Sequence, residues 1–195
     1  MTSVRFSSFT SSMDNKPKPM EMTWPDFQAF VFKPRRRPTA PTDAEAKKHM
    51  PAISPAIFKP GTTRAVENVE ALHLVCFDFD NSVTAETGVT LANGRPQKVK
   101  RRIETPVKAG EVLKLLTKAG VDHIIHPTWS DTPDWPHFRL IIPLAKPIPP
   151  ERWEAATAWV IKQLGLEPFM RGVDLPVLKD VARLYFLPEV PHARQ

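Results

Sequence analysis

The chain has 195 residues, enough for one domain of moderate size with a real core, and 42% of them are hydrophobic. Twenty-two prolines against seven glycines imply many rigid, extended connections and argue against a long helical bundle. A net charge of +6 favours a polyanionic partner, and a single cysteine, Cys76, excludes a disulfide framework or a thiolate metal site within one chain.

The first residues, "MTSVRFSSFTSSM", lack the continuous apolar core of a signal peptide, and no later run approaches membrane-spanning length, so a cytoplasmic protein with no membrane partner is expected. Residues 1–71 differ from the rest: nine prolines, the basic cluster "KPRRRP" with Arg35, Arg36 and Arg37, and only short apolar pieces. An N-terminal arm laid on the main domain is the expectation, because Trp24, Phe27, Phe30 and Phe32 need a surface to cover. Within it, "TWPDFQAF" opens a helix, with Thr23 as cap and Pro25 in the first turn.

From Leu72 the pattern is regular. "LHLVCF" is short, apolar and ended by charge, which predicts a buried strand. It runs into Asp78 and Asp80, which strand alternation places on one face with Phe79 on the other. Two carboxylates sharing a small volume are costly without a shared proton or a cation, and hard oxygen ligands suit Mg²⁺ or Mn²⁺. The segment after Glu86 is polar, with an Asn-Gly turn and then "KVKRR", four basic residues in five positions. Lys98, Lys100, Arg101 and Arg102, with the first cluster, could run along a nucleic-acid backbone.

"TPVKAGEVLKLLTKAG" predicts a helix capped by Thr105, with Pro106 first and Gly120 closing it. "VDHIIHPTW" and "HFRLIIPLAKPI" are the next strands, and "PPERWEAATAWVIKQLG" is a second helix. "VARLYFLPEV" reads as the last strand, Arg183, Tyr185 and Leu187 alternating with Leu184 and Phe186. The order predicts an α/β (α+β) domain in two layers: helices over one face of a mixed or antiparallel sheet, the other face free.

A third carboxylate for the pair would come from Asp174, with Asp180 the less favoured alternative. His137 and Arg139, two apart at a strand start, face one way and can both donate to a phosphate oxygen. His126 and Ser130 could line the same cleft, Arg183 could pair with the carboxylates or touch phosphate, and Trp129 or Trp135 could stack on a base.

Two family likenesses bear on these residues. "VCFDFDNSV" resembles the first motif of the haloacid dehalogenase family, which would make Asp78 the nucleophile and Asp80 an acid/base of a phosphatase in a larger doubly wound sheet; Ser82 stands where that family prefers threonine, and the downstream acidic pair with a preceding lysine that such a mechanism needs is not found. The strand ending "DFD", then "PHFRLIIPLAKPI", then "VDLPVLKDVARLYFLP", resembles in order and spacing the archaeo-eukaryotic primase superfamily. The likeness is to primase-polymerase domains of phages, plasmids and other mobile elements, over about residues 72–191.

That second resemblance implies an RRM-like catalytic core and a DNA-dependent nucleotidyltransferase, a primase or primer-extending polymerase. Asp78, Asp80 and Asp174 would be its catalytic metal ligands for two Mg²⁺ or Mn²⁺ ions, and His137, Arg139, Ser130 and Arg183 its nucleotide contacts. Its partners would be nucleoside triphosphates (NTP or dNTP), a single-stranded DNA template and a replicative helicase, fused or separate. Relatives often carry a serine-histidine pair where this chain has Ser130 and Asp131, so the motif histidine is either replaced by His137 or missing. A catalytically inactive single-strand or origin-binding module is the remaining alternative.

Overall fold

The computed structural model describes residues 3–35, 42–90 and 93–188. It is a mixed α/β structure whose strand pairings, among the described residues, are all antiparallel. The parallel doubly wound sheet that the phosphatase likeness implies is therefore not what these strands form.

The central sheet has the order β4-β5-β9-β8, built from β4 (Ala56–Phe58), β5 (Val69–Phe79), β8 (Ile124–Pro127) and β9 (Phe138–Ile148). Its two faces divide the core. Val75, Phe77 and Phe79 of β5, with Phe138, Leu140 and Ile142 of β9, face α3 (Ala109–Lys118) and α4 (Trp153–Gln163), which contribute Val112, Leu116, Trp153 and Val160. Phe79 and Phe138 stack with ring centroids 4.3 Å apart at the end of this layer.

The opposite face, expected to be free, is covered. Leu74 and Cys76 of β5, Ile141 of β9 and Ile124 of β8 pack against a second sheet of order β10-β3-β1-β2 and against α1. These elements are β1 (Ser3–Phe9), β2 (Lys18–Thr23), β3 (Ala52–Ser54), β10 (Tyr185–Phe186) and α1 (Trp24–Phe32). Val4, Phe6, Trp24, Phe27 and Val31 supply the cover. On α1, Trp24 and Phe27 find the surface they need and Phe30 is partly covered, but Phe32, expected to need cover as well, is 53% exposed. A boundary at residue 71 would fall inside β5, and β4, from the first segment, holds the edge beside it.

Local signals explain the element ends. Thr23 caps α1, accepting from the Asp26 backbone N–H, with Pro25 in the first turn as expected. The next helix starts later than Thr105 and Pro106 suggest, because Asn81 takes both backbone groups of Val107: Val107 N–H donates to Asn81 Oδ1 at 2.8 Å, and Asn81 Nδ2 donates to Val107 O at 2.9 Å. α3 begins at Ala109, where the Glu111 carboxylate accepts from the Lys108 N–H.

The polar segment after Asn81 is a two-stranded ribbon, β6 (Ser82–Thr90) with β7 (Pro96–Arg102), standing largely exposed. The final strand is only two residues long. The Asp180 carboxylate accepts from Ala182 N–H and its carbonyl from Arg183 N–H, turning the chain through the positions expected to extend it. "DLPVLK" is instead a short helix, α5 (Leu175–Lys179), and α2 (Asp43–Lys48) precedes β3. Among the described residues no helix is long and apolar enough to cross a membrane.

Candidate active site at the end of strand β5

Strand register sets the site. Asp78 pairs with Arg139, and Arg139 with His126, so β5, β9 and β8 carry one row of polar side chains across the face whose next row is Cys76, Ile141 and Ile124. The covering sheet does not close over this row, and a cavity of about 70 Å³ remains. Asp78, Asp80, His126, Ser130, Arg139 and Trp129 line it, as expected from the sequence, together with Lys47 of α2, which the sequence did not single out.

Asp174 is brought alongside by a short extension of the sheet. Val173 bridges Phe79, Asn81 N–H donates to Gly172 O, and Asp174 N–H donates to Asp78 O at 2.9 Å. Asn81 makes this possible: at φ 48° it turns the chain off the strand, and its buried amide also donates to Pro136 O at 2.7 Å. Gly172 lies so close that a Cβ there would be 2.5 Å from Asn81 Oδ1. Asp174 also caps α5, accepting from Val177 N–H. Asp180, the alternative third carboxylate, lies elsewhere, in a separate cavity with Arg183. Arg183 lines that cavity with Asp180 and is not among the residues lining the cavity of Asp78 and Asp80.

Each carboxylate already has a cation. Arg139 donates to Asp78 from Nε at 3.2 Å and from Nη2 at 2.9 and 3.1 Å, while its Nη1 donates to Phe186 O at 2.7 Å and the guanidinium lies over Tyr185. The pair is nearly buried, with side chains 6% and 18% exposed, which suits a bidentate fork. Lys100, reaching in from β7, pairs with both Asp80 and Asp174, the latter at 3.5 Å. His137 Nδ1 lies 3.3 Å from Asp80 Oδ1, and its backbone N–H is fixed by the Asp131 carboxylate at 2.9 Å. The Asp131 carboxylate therefore anchors the His137 backbone.

The hydrogen bond from His137, then the contact with Lys100, holds the Asp80 carboxyl far below the usual carboxylate range against the effect of burial. Burial opposes the Lys100 charge, but Asp80 and then Asp174 raise its pKa above the ordinary lysine value. Burial pushes Lys47 down, and it pushes His126 down to about 3, so the imidazole in the cavity floor is neutral near pH 7.

The basic clusters separate. Arg35 donates to the carbonyls of Phe30, Val31 and Lys33, closing the C-terminus of α1, so it serves the helix end. Arg36 and Arg37 lie outside the described residues. On the ribbon, Lys98 is 4.0 Å from Glu86, Arg101 is exposed, and Arg102 lies 4.5 Å over the Trp135 ring. Trp135 Nε1 donates to Asn81 O, tying the ribbon's base to the site.

Among the described residues no group of three or more His, Cys, Asp or Glu is gathered tightly enough to hold a metal ion. Asp80 and Asp174 nevertheless share one cation, the Lys100 ammonium, which makes them the pair suited to a divalent ion in its place. Family models, curated proteins and solved structures were all compared with this chain, and none matches it.

Proposed function

We propose that the chain is a DNA-dependent nucleotidyltransferase, a primase or primer-extending polymerase of the archaeo-eukaryotic type, serving replication of a mobile element. The observation that carries this reading is that Asp174, from a segment far away in sequence, is tied by its backbone N–H to Asp78 O and shares Lys100 with Asp80 at the end of β5. The strand order β5-β9-β8, with α3 between β5 and β8 and α4 after β9, supports an RRM-like core within it. On this reading the first segment is a cover for one sheet face, and the setting is cytoplasmic, with a replicative helicase as partner.

Asp80 and Asp174 would hold Mg²⁺ or Mn²⁺. Such an ion, when bound, supplies charge neutralisation to a triphosphate and acidifies an attacking 3′-hydroxyl. The chain's own residues do the rest. Arg139 fixes Asp78 in one orientation, and His137 fixes Asp80. Lys47 and Ser130 offer donors to a triphosphate from the cavity wall, and the neutral His126 adds no charge to its floor. Lys98, Arg101 and Arg102 follow the template backbone along the ribbon, with Arg36 and Arg37 as further contacts.

The test is primer extension and de novo priming on single-stranded DNA with labelled NTPs or dNTPs and Mg²⁺ or Mn²⁺. Wild type should give product, and Asp78→Ala and Asp80→Ala should not. Equal product from all three ends this reading.

A further inference from the structure

A second cavity, of about 230 Å³, shares the wall formed by Phe186 with the carboxylate cavity. Ser12, Arg64, Asp180, Arg183 and Leu184 complete its lining. Arg64 comes from the connection between β4 and β5, and Arg183 from the turn before β10, so two distant segments deliver two guanidinium groups to one hollow. Among the described residues neither has a carboxylate within 4.0 Å.

Arg64 is only partly committed. Its Nη1 donates to Ala182 O at 3.3 Å, but its Nε–H is buried and has no acceptor. A purely structural role as a loop tie explains the first contact and leaves the second donor unsatisfied. Asp180 offsets one of the two positive charges, and one of its oxygens is held by Ala182 N–H. Ser12 donates its hydroxyl to Lys48 O and keeps only acceptor capacity. The cavity therefore carries a net positive charge, and its free donors are guanidinium N–H groups, whose planar fork matches a phosphate.

We propose that this cavity is a second phosphate subsite, taking a phosphodiester phosphate of the nucleic-acid strand whose neighbouring part reaches the carboxylate cavity. Lys47 lies 5.4 Å over the Phe186 ring on the other side. Cations spaced on both sides of one aromatic wall suit the repeating phosphates of a strand better than the compact tail of one nucleotide. The strand's identity rests on the proposed nucleotidyl transfer; the phosphate chemistry rests on Arg64 and Arg183 alone.

The test is fluorescence anisotropy of a labelled single-stranded DNA oligonucleotide and, separately, a labelled nucleoside triphosphate, over a salt series. Proteins compared are wild type, Arg183→Gln, Arg64→Gln and Asp180→Asn. Arg183 is exposed, so its variant folds irrespective of any role for Arg64, whose variant is checked by its melting temperature. Each arginine variant should weaken oligonucleotide binding by about threefold at low salt and make the salt slope shallower by about 0.7. Asp180→Asn should tighten binding, and triphosphate affinity should not change. Unchanged oligonucleotide affinity and slope in both arginine variants overturns the subsite, as does a loss confined to the triphosphate. If wild type incorporates no nucleotide yet the arginine effects hold, the subsite stands and the polymerase reading falls.

Discussion

Lys100→Met should increase the affinity of this protein for Mn²⁺. The Lys100 ammonium pairs with both Asp80 and Asp174, with the lysine side chain 54% exposed and the carboxylates 27% and 20%. Partly exposed pairs contribute about 0.5–1 kcal/mol each, so the ammonium opposes a competing cation by about 1–2 kcal/mol. Removing it should tighten Mn²⁺ binding about fivefold to thirtyfold. The charges are present at neutral pH. The Asp80 pKa is depressed, so its contribution exists above the ordinary carboxylate value of 3.8 and is lost as pH falls through the folded value. The Lys100 pKa is raised, so its contribution exists below 10.5 and is lost as pH rises through the folded value. Isothermal titration calorimetry at pH 7 on wild type, Lys100→Met and Lys100→Met/Asp80→Asn measures the effect. Equal or weaker Mn²⁺ binding by Lys100→Met, or no loss on adding Asp80→Asn, refutes the assignment of this pair as the cation seat.

Arg139→Met should destabilise the fold by about 3–5 kcal/mol in urea unfolding, because it strands the nearly buried Asp78 carboxylate. Asp78→Asn in the same chain should recover part of that loss, and a cost below about 1 kcal/mol would show that the pair is not a structural element. Gly172→Ala should cost about 1–3 kcal/mol, since its Cβ would press on Asn81 Oδ1 and Val107, whereas Gly110→Ala, with open space around it, should be neutral or slightly stabilising. Equal melting temperatures for the two alanine variants would contradict the role given to Asn81. His126, with its folded pKa near 3 against an ordinary 6.5, stays neutral where the unfolded chain takes up a proton. Stability should therefore fall as pH drops below 6.5, by on the order of 3 kcal/mol at about pH 4.5, and His126→Gln should flatten that acid limb.

The parts of this structure that depend on local chemistry were readable in the sequence. Alternation through "LHLVCFDFD" placed Asp78 and Asp80 on one side, and both line the same cavity. Thr23 and Pro25 set the start of α1, and Trp153 and Val160 face the core from α4 as their spacing requires. What could not be read depends on distant partners. β4 takes the strand edge beside β5, while β10, in the segment read as the last strand, pairs with β3. Val107 looks like a first-turn helix residue until Asn81 claims both its backbone groups.

The charged residues divide the same way. Lys100 is one basic residue among four in "KVKRR", and only the hairpin register turns it toward Asp80. Arg139 was expected to be available to a triphosphate, but the cross-strand pairing with Asp78 engages it. Arg35 looked like part of a basic patch, yet three carbonyls of the α1 terminus take its donors. Lys47 gave no signal, because only the packing of α2 brings it into the cavity.

The proposed function requires that the carboxylates at the end of β5 direct templated nucleotide addition. Its most direct measurement is single-nucleotide incorporation on four templates differing only in the templating base, with Mn²⁺, by wild type and Asp174→Asn. Wild type should add the complementary nucleotide on each template, and Asp174→Asn should slow addition by about a hundredfold or more. Addition that ignores the templating base, or that proceeds equally fast in Asp174→Asn, would contradict the proposed function.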